Sequence, residues 1–171
     1  MDPIPANGAL RRTISVMVEN KFGVLARIST LFAARGFNID SLAVGRTEDP
    51  AVSRMTIMVN GNEAVLEQVE KQLNKLIDVI KVTNFDNESH LARDLALIKV
   101  KADKASRSEI FQIVDIFRAK VVDVGVDSLV IEMTGDEEKI TALEALLRPF
   151  GIKEMVRTGI IAMSRGSKKK E

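Results

Sequence analysis

The sequence predicts an α+β chain folded as two tandem ferredoxin-like plaits, each running strand-helix-strand-strand-helix-strand. Three observations predict it. Apolar residues alternate with a period of two in some stretches and recur at helical spacing in others, and in the first half these stretches follow one another in the plait order. The same order returns after a polar stretch at 86–93. The length, 171 residues at 46% hydrophobic and 29% charged, suits a folded chain of one ordinary domain or two small ones.

Each element has its own signal. A loose extension, 1–10, carries Pro3, Pro5, Asn7 and Gly8 and is expected to be flexible; it has no signal-peptide core. In strand 13–18, Ile14, Val16 and Val18 alternate with Thr13, Ser15 and Met17. Helix 24–35 sets Val24, Leu25, Ile28, Leu31 and Phe32 on one stripe and stops at Gly36, which suits the left-handed position after a helix. Strand 38–46 is mixed. Ile39 and Ala43 face one way, Leu42 and Val44 the other, which predicts cover on both faces or a subunit contact. A turn at Thr47-Glu48-Asp49-Pro50 leads into strand 52–59, where Met55, Ile57 and Val59 alternate with Arg54, Thr56 and Met58. Asn60-Gly61-Asn62 turns the chain into helix 63–76, whose stripe is Val65, Leu66, Val69, Leu73 and Leu76. Strand 77–85 closes the first plait.

The stretch 86–93 reads as a linker with the single histidine, His90, solvated inside it. Strand 95–102 follows, then a helix with Ile110, Ile113, Val114 and Phe117 on its stripe. Ser106 and Glu109 have the spacing of a capping box at its start. Strands 121–126 and 128–134 come next. A helix from Asp136 carries Ile140, Leu143, Leu146 and Leu147 and stops near Pro149 and Gly151. An extended stretch, 152–163, completes the second plait, and a tail at 166–171 carries Lys168, Lys169 and Lys170. The expected domains are therefore 11–85 and 94–165.

Composition narrows the function. A formal net charge of +1 gives no bulk field toward nucleic acid or membrane. The absence of Cys excludes disulfides and thiolate metal sites, and fits a reducing cytoplasm. No apolar run reaches the length of a membrane span. With one His, no Tyr and no Trp, and with no nucleophile–base pair or metal-ligand cluster in a motif, the residues offer no catalytic site, metal site or cofactor. RNA-binding plaits stack bases on exposed aromatics; an aromatic content of 4% with no basic stripe argues against that use.

The stretch that remains is Glu19-Asn20-Lys21-Phe22-Gly23-Val24-Leu25, between the first strand and the first helix. Gly23 reaches backbone angles closed to other residues and lets a ligand approach the main chain. The helix that follows has free N–H groups in its first turn and a dipole that favours negative charge there. A small carboxylate fits such an end without a basic side chain. Asn20 can donate or accept, and so can read an amino or a carboxylate group. The same two residues equally suit a plain tight turn, and these residues alone leave both readings open.

With Val16-Met17-Val18 before it and Ala26-Arg27-Ile28 after it, and with Phe32-Ala33-Ala34-Arg35-Gly36-Phe37-Asn38-Ile39 beyond, the loop resembles that of an ACT domain, the amino-acid-sensing plait of biosynthetic enzymes. Two further stretches are Ser53-Arg54-Met55-Thr56-Ile57 and Arg157-Thr158-Gly159-Ile160-Ile161-Ala162-Met163-Ser164-Arg165-Gly166. With them, the chain from Arg11 to Gly166 resembles the regulatory (small) subunits of acetolactate synthase, also called acetohydroxyacid synthase.

The resemblance implies a non-catalytic regulatory subunit. Such subunits bind a separate catalytic (large) subunit that carries thiamine diphosphate, magnesium and FAD. They raise its activity and confer feedback inhibition by valine in branched-chain amino-acid biosynthesis. By the same resemblance, Asn20 and Gly23, with the backbone of Val24 and Leu25, hold the effector's head group. Asn38 and Ile39, from the second strand of a neighbouring chain, complete the pocket in a homodimer paired through its ACT domains. An alternative is a stand-alone ACT sensor serving another enzyme or a transcription factor. The choice among valine, leucine and isoleucine stays open, because one methylene is worth only about 1–3 kcal/mol in such a pocket.

Overall fold

The computed structural model describes residues 10–85 and 89–166. The expected extension, except Leu10, the core of the expected linker and the lysine tail lie outside the described residues. Two compact units form the chain. One consists of the described residues up to Leu91 together with those from Ala162 to Gly166; the other is Ala92–Ile161.

In the first unit the order is β1 (Leu10–Glu19), α1 (Val24–Ala34), β2 (Ile39–Arg46), β3 (Val52–Gly61), α2 (Glu63–Leu73) and β4 (Val79–Asn84). The sheet runs β2-β3-β1-β4, with every neighbouring pair antiparallel. Period-two alternation puts Ile14, Val16 and Val18 of β1 and Met55, Ile57 and Val59 of β3 on one face. There they pack with Val24, Ile28 and Phe32 of α1 and Leu66, Val69 and Leu73 of α2. α1 ends as its glycine predicts. Gly36 sits at φ 69°, and the Phe37 and Gly36 N–H groups donate to the carbonyls of Phe32 (3.0 Å) and Ala33 (3.2 Å). Phe32 and Phe37 meet edge to face across this turn, with centroids 6.1 Å apart, the apolar contact that accompanies such a stop.

Strand β2 departs from the expectation. A bulge between Ile39 and Ser41 turns Ile39 onto the core face with Leu42, where both pack against the cluster. The partners on the other face are Ser41 opposite Met58 and Ala43 opposite Thr56. The strand is thus apolar toward the helices and small or polar behind, not apolar on both faces. Asp40 at the bulge accepts from the Asn38 Nδ2 at 2.7 Å and also from Asn60 Nδ2.

The second sheet comprises β5 (His90–Lys101), β6 (Lys120–Val124), β7 (Ser128–Gly135), β8 (Ile152–Arg157) and β9 (Ile161–Ser164). Its helices are α3 (Arg107–Phe117) and α4 (Glu137–Leu147). The order is β6-β7-β5-β8, and β9 pairs β5. Ala96, Ile98 and Val100 of β5 and Leu129, Ile131 and Met133 of β7 meet Ile110, Val114, Ile140, Leu143 and Leu147 in its core.

Three expectations change here. His90 is not in a solvated linker. It opens β5, is half-buried, and stacks on Phe85 with centroids 5.0 Å apart. The extended stretch 152–163 is two strands broken at Thr158-Gly159, with Gly159 at φ 82°. Ser106 makes no side-chain cap on α3. Asp103 does that work one turn earlier. Its Oδ1 accepts from the N–H of Ala105 (3.0 Å) and Ser106 (2.9 Å) and from the Ser106 hydroxyl (2.9 Å).

At the start of β5 the Asp94 carboxylate is fully enclosed. Arg157 donates to its Oδ2 from Nε (2.6 Å) and Nη2 (2.5 Å), and the Thr158 hydroxyl donates to Oδ1 at 3.0 Å. Removing the cation strands a buried charge. Arg157→Ala is expected to lower unfolding stability on the order of 3 kcal/mol, read as a fall in the urea midpoint. At Asp103 the bonds from the Ser106 N–H and hydroxyl hold the carboxyl below its ordinary value of 3.8. Its stabilising effect is complete above that value and is lost as the pH falls through and below it. Asp103→Asn is therefore expected to flatten the acid limb of melting temperature against pH.

Candidate functional site

The loop after β1 is held from both sides. The Glu19 N–H donates to the Asp78 carbonyl at 2.9 Å, tying the end of β1 to the residue before β4. On the other side, Asn20 donates from its backbone N–H to the Ala51 carbonyl (2.7 Å) and from Nδ2 to the Pro50 carbonyl (2.9 Å). The Asn20 carboxamide therefore anchors the loop to the turn before β3. Its Oδ1 is an acceptor, of the kind that suits an ammonium group.

Gly23 is the N-cap residue of α1, at φ 83° and ψ −6°, with no side-chain cap and no acidic residue in the first turn. A methyl group built on it would meet nothing within 4 Å, so the space beside it is open. The Arg27 N–H donates to the Gly23 carbonyl at 3.0 Å, the first helical bond. The helix thus presents the positive end of its dipole to open space, uncompensated by a carboxylate of its own. The nearby acids are engaged. Glu19 accepts from the Lys21 ammonium at 2.7 Å, which raises the Lys21 pKa. Asp78 is paired with Arg27. Phe22 stands wholly exposed at the loop tip, and Leu25 is also exposed.

Asn20 and Gly23 lie in the loop, and Val24 and Leu25 are the first two residues of α1, with the Val24 side chain buried. The structure does not bring Asn38 and Ile39 to them within the chain. Ile39 pairs with Val59, and Val59 with Arg12, whereas Asn20 lies eight residues further along the first strand and loop. At about 3.3 Å per residue, that separation is roughly 26 Å. The Asn38 carboxamide resembles that of Asn20 in being engaged through Nδ2, here with Asp40.

Sequence reasoning missed Arg27 and Asp78, which brace the loop, and the Pro50-Ala51 carbonyls, which anchor it. The available signal was a lone acid in the apolar run Leu76-Ile77-Asp78-Val79-Ile80. Among the described residues no group of three or more His, Cys, Asp or Glu is placed to hold a metal ion. Among the same residues no helix is long and apolar enough to cross a membrane.

Comparison with known proteins places this geometry. Residues 14–81 match the family described as AHAS small subunit-like ACT domain, and residues 93–166 match the family described as small subunit of acetolactate synthase. A probable acetolactate synthase small subunit of Archaeoglobus fulgidus is 56% identical over 160 residues, covering 94% of this chain and 100% of that protein. The acetolactate synthase small subunit of Mycolicibacterium smegmatis is 53% identical over 161 residues, covering 94% of this chain and 95% of that one. The crystal structure of the acetolactate synthase small subunit from Thermotoga maritima superposes with a TM-score of 0.85. It is 44% identical and covers 93% of this chain and 99% of its own. The chain belongs to the acetolactate synthase small-subunit family, and its first plait is an ACT domain of that family.

The open space at Gly23 separates two effects of substitution. Gly23→Ala meets no atom and strains only the left-handed backbone, so it is expected to cost about 1–2 kcal/mol, measured by urea unfolding of the free chain.

Proposed function

We propose that this member of the small-subunit family binds an acetolactate synthase catalytic subunit, raises its activity and makes it sensitive to valine. The observation that carries the reading is the family match across both plaits, in the same order and over nearly the whole of the chain and its relatives. Thiamine diphosphate, magnesium and FAD belong to the catalytic partner in this reading.

The loop supports the effector's place. The carboxylate of an α-amino acid suits the N–H of Leu25 and, beside it, that of Val24, whose own bond to the Lys21 carbonyl is long at 3.5 Å; the dipole favours an anion there. Asn20 Oδ1 suits the ammonium group, since Nδ2 is engaged with Pro50. The remaining residues come from a second copy. β2 is an edge strand, open along one side within the chain. An antiparallel pairing of β2 with that of a second copy, centred between Leu42 and Ala43, sets the partner's Ile39 opposite Arg46. Arg46 pairs with Ser53, and Ser53 with Val18, so this is the end of the sheet at which Asn20 lies. A dimer of this kind carries the partner's Asn38 and Ile39 to the end where the chain's own cannot reach. A ligand shared between chains favours one assembly over another by its differential affinity.

Two measurements test this. Valine at roughly a hundred times its dissociation constant is expected to add about 2.7 kcal/mol to stability, seen as a rise in melting temperature of the chain alone or with the catalytic subunit. In the reconstituted complex, Gly23→Asp places a carboxylate where the ligand's own is expected, so valine inhibition should vanish. Full inhibition of that variant would show the site to be elsewhere.

A further inference from the structure

We infer that Asp78 is a positioning residue for the effector loop, acting through its ion pair with Arg27 and its carbonyl bond to Glu19. The inference rests on the reading of the loop as the effector site and gives a role to two residues which that reading leaves unused.

Asp78 is buried, with its side chain 10% exposed, and a carboxylate so enclosed requires a cation. Arg27 supplies it from one turn inside α1. The same arginine donates its backbone N–H to the Gly23 carbonyl, and the Asp78 carbonyl accepts from the Glu19 N–H. These bonds close a circuit: Glu19 to Asp78, Asp78 to Arg27, Arg27 to Gly23, and back along the chain to Glu19. Every residue expected to meet the effector's head group lies inside this circuit or on its rim. Asn20 pins the loop on the far flank to Pro50 and Ala51. The spacing between the first turn of α1 and the end of β1 therefore depends on the Arg27–Asp78 pair.

A second cation makes the arrangement sensitive. Lys21 lies within the loop and is held by Glu19, and its charge is favoured to a smaller degree by Asp78 as well. If Arg27 is replaced by an uncharged residue, Lys21 is the next cation for the buried Asp78. Its capture would draw the loop away from the geometry that Gly23 needs. If Asp78 is replaced by an uncharged residue instead, Arg27 is released and the first turn of α1 loses its tie to the start of β4. Either change reaches the ligand without touching it.

The test is calorimetric titration of valine into the full chain, with the catalytic subunit present, for Asp78→Asn, Arg27→Gln and Arg27→Lys, alongside the melting temperature of each without valine. Asp78→Asn and Arg27→Gln are expected to bind valine about tenfold more weakly. Arg27→Lys keeps the cation and is expected to recover most of that affinity. If both charge-removing variants melt lower yet bind valine as the unmodified chain does, the pair is merely structural and the inference falls. If in addition Gly23→Asp abolishes binding, the effector reading stands while the inference alone fails. No binding to the unmodified chain in the complex would overturn both.

Discussion

A sheet with two helices on one face buries every second residue of its strands, and much of this protein follows from that constraint. It places Ile14, Val16 and Val18 beside Met55, Ile57 and Val59 on the central strands, and gives α1 and α2 one surface to cover. To reach that surface, the chain must leave β1 and turn at once into α1. The start of α1 therefore lies at the end of a central strand, between the Asp49-Pro50-Ala51 turn and the entry to β4. Two of those neighbours supply the carbonyls and carboxylate that hold the loop. The position of the loop is a by-product of how the core is covered.

The two plaits treat this corner differently. After β5 the chain places Asp103 where its carboxylate accepts from the N–H groups before α3. Arg107 then reaches across to the carbonyls of Gly125 (2.5 Å) and Val126 (2.8 Å). α2 and α4 are also capped, by Asn62 and Asp136. Among the α-helices of the described residues, α1 alone starts on a glycine with neither a capping side chain nor an acid in its first turn. A glycine in place of a capping side chain costs only roughly a few tenths of a kcal/mol.

Most of the fold was legible because period decides it. The core faces of β1, β3, β5 and β7 and most of each helix stripe can be read from spacing alone, although Leu25 of α1 and Leu146 of α4, expected on those stripes, are exposed. What spacing cannot show is where the period breaks. The bulge at Asp40 moved Ile39 to the other face, and Asp103 capped a helix whose sequence offered Ser106 for that role. Of the site, Gly23 and the bare first turn were visible locally. The bracing was not, because Asn20 and Pro50 are 30 residues apart and Arg27 and Asp78 are 51 apart. The separation of Asn38 and Ile39 from Asn20 needed the strand order, since only register shows them at opposite ends of the sheet.

The path of the chain through its two units bears on how the protein is made. Residues from Ala162 on belong with the first unit, although Ala92–Ile161 form the second. Beside them, the Arg165 N–H and Nε donate to the carbonyls of Ser89 (2.9 Å) and His90 (3.1 Å). On the ribosome, the four-stranded sheet of the first unit is complete once Asn84 has emerged, but its closing segment arrives only after the whole second unit has been translated. The unit that carries the loop after β1 is thus begun first and receives its last residues at the end of translation.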